Sequence, residues 1–147
     1  MPVGGFSIGR DISVQFNTPQ GPVKFSNLTS FGRKAISIGL ESKGIDGIDI
    51  FATIYGGWEG IIELDRMSPA LDLFFAFMEN LFYTGKDVPP SFISEKITER
   101  NGALTQFTYP GVAWQYTDAG TAKGDEKITQ SASWKASRRL LKSSAPQ

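Results

Sequence analysis

Apolar and polar residues alternate with period two along most of this chain, the signature of strands with one buried and one wet face. Over residues 10–16, Ile12, Val14 and Phe16 oppose Asp11, Ser13 and Gln15, and the polar turn 17–21 ends the run. Residues 22–25 read as a short second strand. Ile36, Ile38 and Leu40 share a face in the segment 31–40. In the segment 48–67, Ile48, Ile50, Ala52 and Ile54 share a face. Trp58, Ile62 and Leu64 then oppose Glu59, Glu63 and Asp65. Between these two runs stand Gly56 and Gly57, which signal either a hairpin turn or a bulge, and the hairpin is the favoured expectation.

Further on, residues 91–109 read as a hairpin around Asn101-Gly102, a pair suited to a type I′ turn. Another strand is expected at 112–117. The longest regular alternation is 127–139, KITQSASWKASRR. There Ile128, Ala132, Trp134 and Ala136 fall on one side, interrupted by Gln130. Thr129, Ser131, Ser133, Lys135, Ser137 and Arg139 fall on the other. Fully extended, that run spans roughly 40 Å and needs pairing partners along its length. The period changes to helical only once. Ser68 is a suitable N-cap and Pro69 a suitable first residue, and Leu71, Phe74, Phe75, Met78, Leu81 and Phe82 recur at helical spacing up to a stop at Gly85. This predicts a helix over about 69–83 whose broad apolar arc asks for cover on more than one side. The expected fold is mainly β: an antiparallel sandwich or barrel of about seven to nine strands with one flanking helix. The 147 residues read as one domain, with an N-terminal arm over 1–9 and a frayed tail over 143–147.

Composition removes most catalytic chemistries. The chain has no cysteine and no histidine. It therefore lacks thiolate nucleophiles, disulfides, the commonest general base and the commonest metal ligands. Lys plus Arg number 15, as do Asp plus Glu, so net charge offers nothing to a polyanion. No signal peptide or apolar span is visible, and no membrane anchor is expected.

Individual motifs are equally quiet. The carboxylates Glu59, Glu63 and Asp65 are spaced two apart on one strand face, about 7 Å between neighbours, and read as a solvated acidic face. Residues 44–49, GIDGID, lack the ligand spacing of a calcium loop, and GGWEG at 56–60 lacks the ending of a phosphate loop. Trp134 alternates away from Lys135 and Arg139, so stacking and charge do not converge on a nucleic acid there. No catalytic residue, cofactor or metal site is expected.

The segments Asp118-Ala119-Gly120, Lys123-Gly124-Asp125-Glu126, Gln130 and Lys135-Ala136-Ser137-Arg138-Arg139 resemble the C-terminal part of tail tube proteins of contractile-tailed bacteriophages. Residues 48–66, with Trp58-Glu59-Gly60 at their centre and Ser68-Pro69 behind, are similar to the middle of such proteins. The resemblance covers the chain from Ile48 onward. It implies a β-sandwich or barrel flanked by a helix, in hexameric rings stacked into a hollow tube that conducts the genome. Type VI secretion and phage-tail-like bacteriocin tubes share that architecture. It also implies a non-enzymatic role, localisation to the virion tail after assembly in the host cytoplasm, and partners that include other copies, sheath, baseplate and tail terminator. DNA is only passing cargo.

Within that frame, Glu41, Lys43, Gly44, Asp46 and Gly47, which lie in a polar connection between alternating runs, are expected to contact the next ring. Glu59, Glu63, Thr129, Ser131, Ser133 and Lys135 are expected to border the channel or a subunit seam. Two other classes compete: a monomeric β-barrel that binds a small apolar ligand, and a carboxylate hydrolase with two acids across a cleft.

Overall fold

A computed structural model describes residues 4, 9–19, 21–23, 28–99 and 102–143. The N-terminal arm and C-terminal tail expected at 1–9 and 143–147 lie almost wholly outside the described residues. Among these residues, eight strands and one α-helix occur in the order β1 (Ile12–Thr18), β2 (Gly21–Val23), β3 (Leu28–Lys43), β4 (Asp49–Asp65), α1 (Ala70–Tyr83), β5 (Ser91–Thr98), β6 (Leu104–Asp118), β7 (Thr129–Ala136) and β8 (Leu140–Ser143). All pairings are antiparallel, in the path β2-β1-β5-β6-β7-β4-β3, with β8 also on β6. The sheet stays open and does not close into a barrel.

β6 makes this one path into two facing layers. Its first half pairs with β5 and β8, and its second half, from Ala113, pairs with β7. Strands that change sheets in this way form the corners of sandwiches. The core fills the space between: Phe16 of β1 meets Phe31 of β3 edge-on with centroids 6.5 Å apart, and Tyr109 of β6 meets Trp134 of β7 at 5.1 Å. Trp134 is fully buried and stacks on Phe31 at 5.7 Å. Its indole lies against Gly60, directly across the β4–β7 pairing.

α1 covers one flank. Leu71 and Phe74 are buried, and Phe75 stacks on Tyr116 at 4.5 Å and meets Trp114 edge-on. The helix starts one residue later than the sequence predicts, with Pro69 at the cap position itself. It ends at the expected Gly85, where Lys86 N–H donates to the Leu81 carbonyl and Gly85 N–H to that of Phe82, a Schellman-type closure. Gln130, the polar interruption of the inward face of β7, is buried and joins helix to sheet. Its amide donates to Asp72 Oδ1 at 3.0 Å and to the Tyr116 hydroxyl at 2.9 Å, while that hydroxyl donates to the same Asp72 oxygen at 2.7 Å. The Tyr116 hydrogen bond, ahead of Arg66 and Gln130, holds the Asp72 carboxyl below its ordinary range, against the opposing effect of burial.

Several expectations need correction. The alternation at 127–139 forms a strand only over Thr129–Ala136. It is no edge in search of partners, because β4 flanks it on one side and β6 on the other. At Ser137 the chain bends, its N–H and hydroxyl both donating to the Pro110 carbonyl, and Arg139 turns inward instead of joining the polar face. The pair Gly56-Gly57 is a bulge, not a hairpin turn, so β4 runs unbroken for 17 residues. In the hairpin between β5 and β6, Glu99 N–H donates to the Ala103 carbonyl and Gly102 N–H to that of Glu99. Gly102 stands at positive φ, and the type I′ turn expected at Asn101-Gly102 falls in part on residues 100 and 101. Asn101 lies outside the described residues.

Candidate assembly surfaces

β4 pairs with β7 only from Trp58 to Asp65, whereas it pairs with β3 all the way to Asp49. Beyond Ala136, therefore, β3 and β4 continue as a two-stranded arm of seven paired rungs, from Ser37–Tyr55 to Lys43–Asp49. The arm projects roughly 20 Å from the sheet at strand rise. The five residues expected to contact the next ring lie at its tip. Gly44 N–H donates to the Ile48 carbonyl, Gly47 N–H to that of Gly44, and Asp46 Oδ1 accepts from the Ile48 N–H. Glu41 and Lys43 belong to the strand itself and not to the connection where the sequence placed them.

The bulge at the arm's root decides which side chains share a face. In the body, Arg33 pairs with Gly60 and Ala35 with Trp58. If that register continued, Leu40 would face Tyr55's side of the arm, and Ile50 would lie opposite Lys43. The extra residue in β4 shifts the pairing by one, and Ile38 then lies opposite Ile54, Leu40 opposite Ala52 and Ser42 opposite Ile50. A one-residue slip moves a whole set of side chains to the other face. Here it gathers the aliphatic residues of both strands on one side, with Ser42 as the only polar residue. Gly57 accommodates the shift at φ +97°, where a Cβ would strike the Ala136 carbonyl. The opposite face carries Tyr55, Thr53, Phe51, Glu41, Lys43 and Asp49.

None of the described residues covers either face. Ile50 is 63% exposed and Ile54 49%, and Phe51, Tyr55, Ile38 and Ile48 are likewise exposed. An isolated two-stranded ribbon is marginal in water, and a contiguous apolar patch of this kind marks an interaction surface.

Two backbone edges accompany the arm. Among the described residues, β3 pairs only with β4, leaving its other side free along 16 residues, and Ala113–Asp118 of β6 pair only with β7. These are the opposite borders of the four-stranded layer β6-β7-β4-β3. An open groove of about 510 Å³, lined by Phe75, Met78, Val88, Pro89 and Trp114, runs beside the β6 border.

The residues expected at a channel or seam come together on the outward face of that layer. Glu59 lies opposite Lys135, Glu63 opposite Ser131, and Asp65 opposite Thr129, while Ser133 faces Ile61. Lys34 of β3 flanks Glu59 on its other side, so one cross-strand row reads Lys34, Glu59, Lys135. Opposite charges in facing positions favour the pairing. Asp65 also holds Lys127 at 3.2 Å. The face is thus mostly polar, with charges of both signs around the exposed Ile61, and shows no acid pair across a cleft among the described residues.

Comparison with known proteins supplies the context for these surfaces. No protein-family model and no curated protein matches the chain. Solved structures do. The cap that terminates the tube of the anti-feeding prophage superposes with a TM-score of 0.63 at 11% identity, covering 98% of this chain and 95% of that one. The sheath/tube terminator of an extracellular contractile injection system, PVC, gives 0.60 at 10% identity, covering 97% and 98%. A chain of the PVC sheath-tube complex gives 0.58 at 11%, covering 89% and 88%. The chain shares its fold with these tube-associated structures. At such low identity the likeness extends to the fold along nearly the whole chain, and the residues that carry function must be argued from this chain's own surfaces. Sequence reasoning missed the arm, although the even-numbered aliphatics at 36–40 and 48–54 were its signal. It also missed the acid Glu95, which shares the parity of Ile93 and Ile97 on β5.

Proposed function

We propose that this protein is a structural subunit of a contractile tail or tail-like particle, assembling with other copies into rings that stack as a hollow tube. The observation that carries this reading is the arm: a projecting two-stranded ribbon, apolar on one face, that none of the described residues covers. The free edges of β3 and β6 supply the second element. They differ from one another and border the same layer, so joining β3 of one copy to β6 of the next makes a heterologous contact that can close into a ring. Strand-to-strand joining would also satisfy backbone groups that otherwise invite uncontrolled aggregation.

In such a ring, hexameric on the resemblance, the face of Glu59, Glu63, Thr129, Ser131, Ser133 and Lys135 lines the channel. The arm tip with Glu41, Lys43, Gly44, Asp46 and Gly47 reaches the neighbouring ring. The genome is the proposed passing cargo, and sheath, baseplate and terminator proteins are the other partners, within the virion tail. A ring that ends the tube is a second reading, favoured by the likeness to a cap and a terminator. An apolar ligand inside a barrel is not supported, because the sheet remains open.

Cross-linking tests the edge contact. The chain has no native cysteine, so Lys34→Cys and Gln115→Cys place unique thiols near the β3 and β6 borders. A short bismaleimide should yield a ladder of covalent oligomers from the double variant and no cross-linked product from either single one, because like positions do not meet across a heterologous seam. A double variant that stops at the monomer would rule out the β3–β6 seam.

A further inference from the structure

Glu95 of β5 has no exposed surface, yet it lies among charges. Arg33 Nε is 3.0 Å from its Oε2, an ion-pair separation without hydrogen-bond alignment. Arg139 Nη2 is 3.5 Å from Oε1, and the Tyr109 hydroxyl donates a long hydrogen bond, 3.4 Å, to the same oxygen. Burial pushes the Glu95 carboxyl above its ordinary range, and the two guanidiniums only oppose that trend. The Tyr109 hydroxyl is pushed up to about 12, first by burial and then by the neighbouring Glu95.

Such a cluster is a poor source of stability, since apolar residues of similar volume commonly do as well or better. What ion contacts provide is fixed geometry, and these converge on the root of the arm. Arg33 stands two residues before Ala35, the last body residue of β3 before the bulge, and Ala35 pairs with Trp58, the first body residue of β4 after it. The Arg139 guanidinium lies 4.6 Å from the centre of the Trp58 ring and 3.5 Å from that of Phe107. Glu95 thus holds β3 directly through Arg33, and holds β4 through Arg139 and Trp58. Immediately beyond, the arm departs through Gly57 and has no further support from the sheet. The bend at Ser137 makes the arrangement feasible by turning Arg139 inward.

We infer that Glu95 is a positioning residue for the arm: through Arg33 and Arg139 it fixes the angle at which the arm leaves the body, so that the arm meets another copy already oriented. The value of this to the protein rests on the assembly reading above; the geometry does not.

Spin labels at Asp46→Cys on the tip and Gln115→Cys on β6, in dilute full-length subunit, report the arm's angular spread as a distance distribution. The native chain should give one narrow distribution. Glu95→Gln, which keeps the side chain's shape, should broaden it at least twofold, while circular dichroism and tryptophan emission stay native. Should that variant fail to fold, Arg139→Lys, which retains the charge but removes the guanidinium from over the Trp58 and Phe107 rings, should broaden it likewise. A broad distribution in the native chain, or an unchanged width in whichever of these variants folds, would overturn the inference. Because the measurement uses unassembled protein, a failure of the assembly reading would leave this result intact, and the reverse also holds.

Discussion

Replacing Ile50 and Ile54 together with aspartate should abolish assembly and leave the subunit folded. Both side chains project from the aliphatic face of the arm and are half exposed or more, so each isolated subunit loses little. Substitutions at such exposed positions usually change stability by less than about 0.5 kcal/mol. In an assembly that covers this face, the balance is different. Full burial of one isoleucine contributes about 1.5–3 kcal/mol, and the two half-exposed side chains together offer about one isoleucine's worth of surface, so covering them contributes roughly 1.5–3 kcal/mol per contact, before the added cost of burying unpaired carboxylates. That corresponds to an association at least ~10-fold weaker. Sedimentation velocity measures the assembled fraction, and thermal unfolding reports the fold. Unaltered assembly would mean that the arm's apolar face meets no partner. A large loss of thermal stability in the monomer would instead mean that the face supports its own subunit.

The second large effect concerns the body. Gly60→Val should cost at least ~3 kcal/mol. A Cβ at this position would collide with the Gly32 carbonyl and stand 2.6 and 2.7 Å from two carbons of the Trp134 indole. Neither neighbour can yield easily. The carbonyl belongs to the β3–β4 ladder, and the indole is buried against Phe31 and Tyr109. Overpacking in a core typically costs about 1–3 kcal/mol, and contact with backbone places this site at the upper end or beyond. For a domain of this size the melting temperature should fall by roughly 10 °C. Gly39→Val is the matched control. It lies in the paired strand β3, but a Cβ there meets nothing within 4 Å, so melting should hardly move. Equal melting temperatures for the two variants would remove the close fit of Trp134 on Gly60 from the account.

The contrast between those two glycines shows how far the sequence could be read. Alternation assigned the faces of β4 and β7 correctly. Trp58, Ile62, Leu64 and Trp134 point inward, and Glu59, Glu63, Ser131 and Lys135 share the outward side. Gln130 interrupts the inward face because it bridges the helix and β6, a role that becomes visible only once Asp72 and Tyr116 are beside it. Periodicity identifies a face but not a partner. It could not show that β7 lies at the middle of its layer, or that the unpaired edges belong to β3 and β6.

The glycine pair was ambiguous for a related reason. A turn and a bulge use the same residues, and they differ only in whether the strands on either side pair with one another or with third strands. β3 decides the matter by pairing with both halves of β4. The charge cluster was hidden by sequence distance. Arg33, Glu95 and Arg139 come from three separate segments, and Arg139 leaves the alternation that would have placed it in water.

A projecting arm, two unlike edges and a balanced polar face form a single account only if the chain assembles. Each would otherwise be a liability: a ribbon without support, strand borders without cover, and apolar side chains in water. Negative-stain electron microscopy of the purified full-length chain tests this most directly. The account predicts rings with a central hole, stacked into tubes as concentration rises, or single rings if the subunit ends a tube. A uniform population of compact particles without a hole, persisting at high concentration alongside monomeric sedimentation, would contradict it.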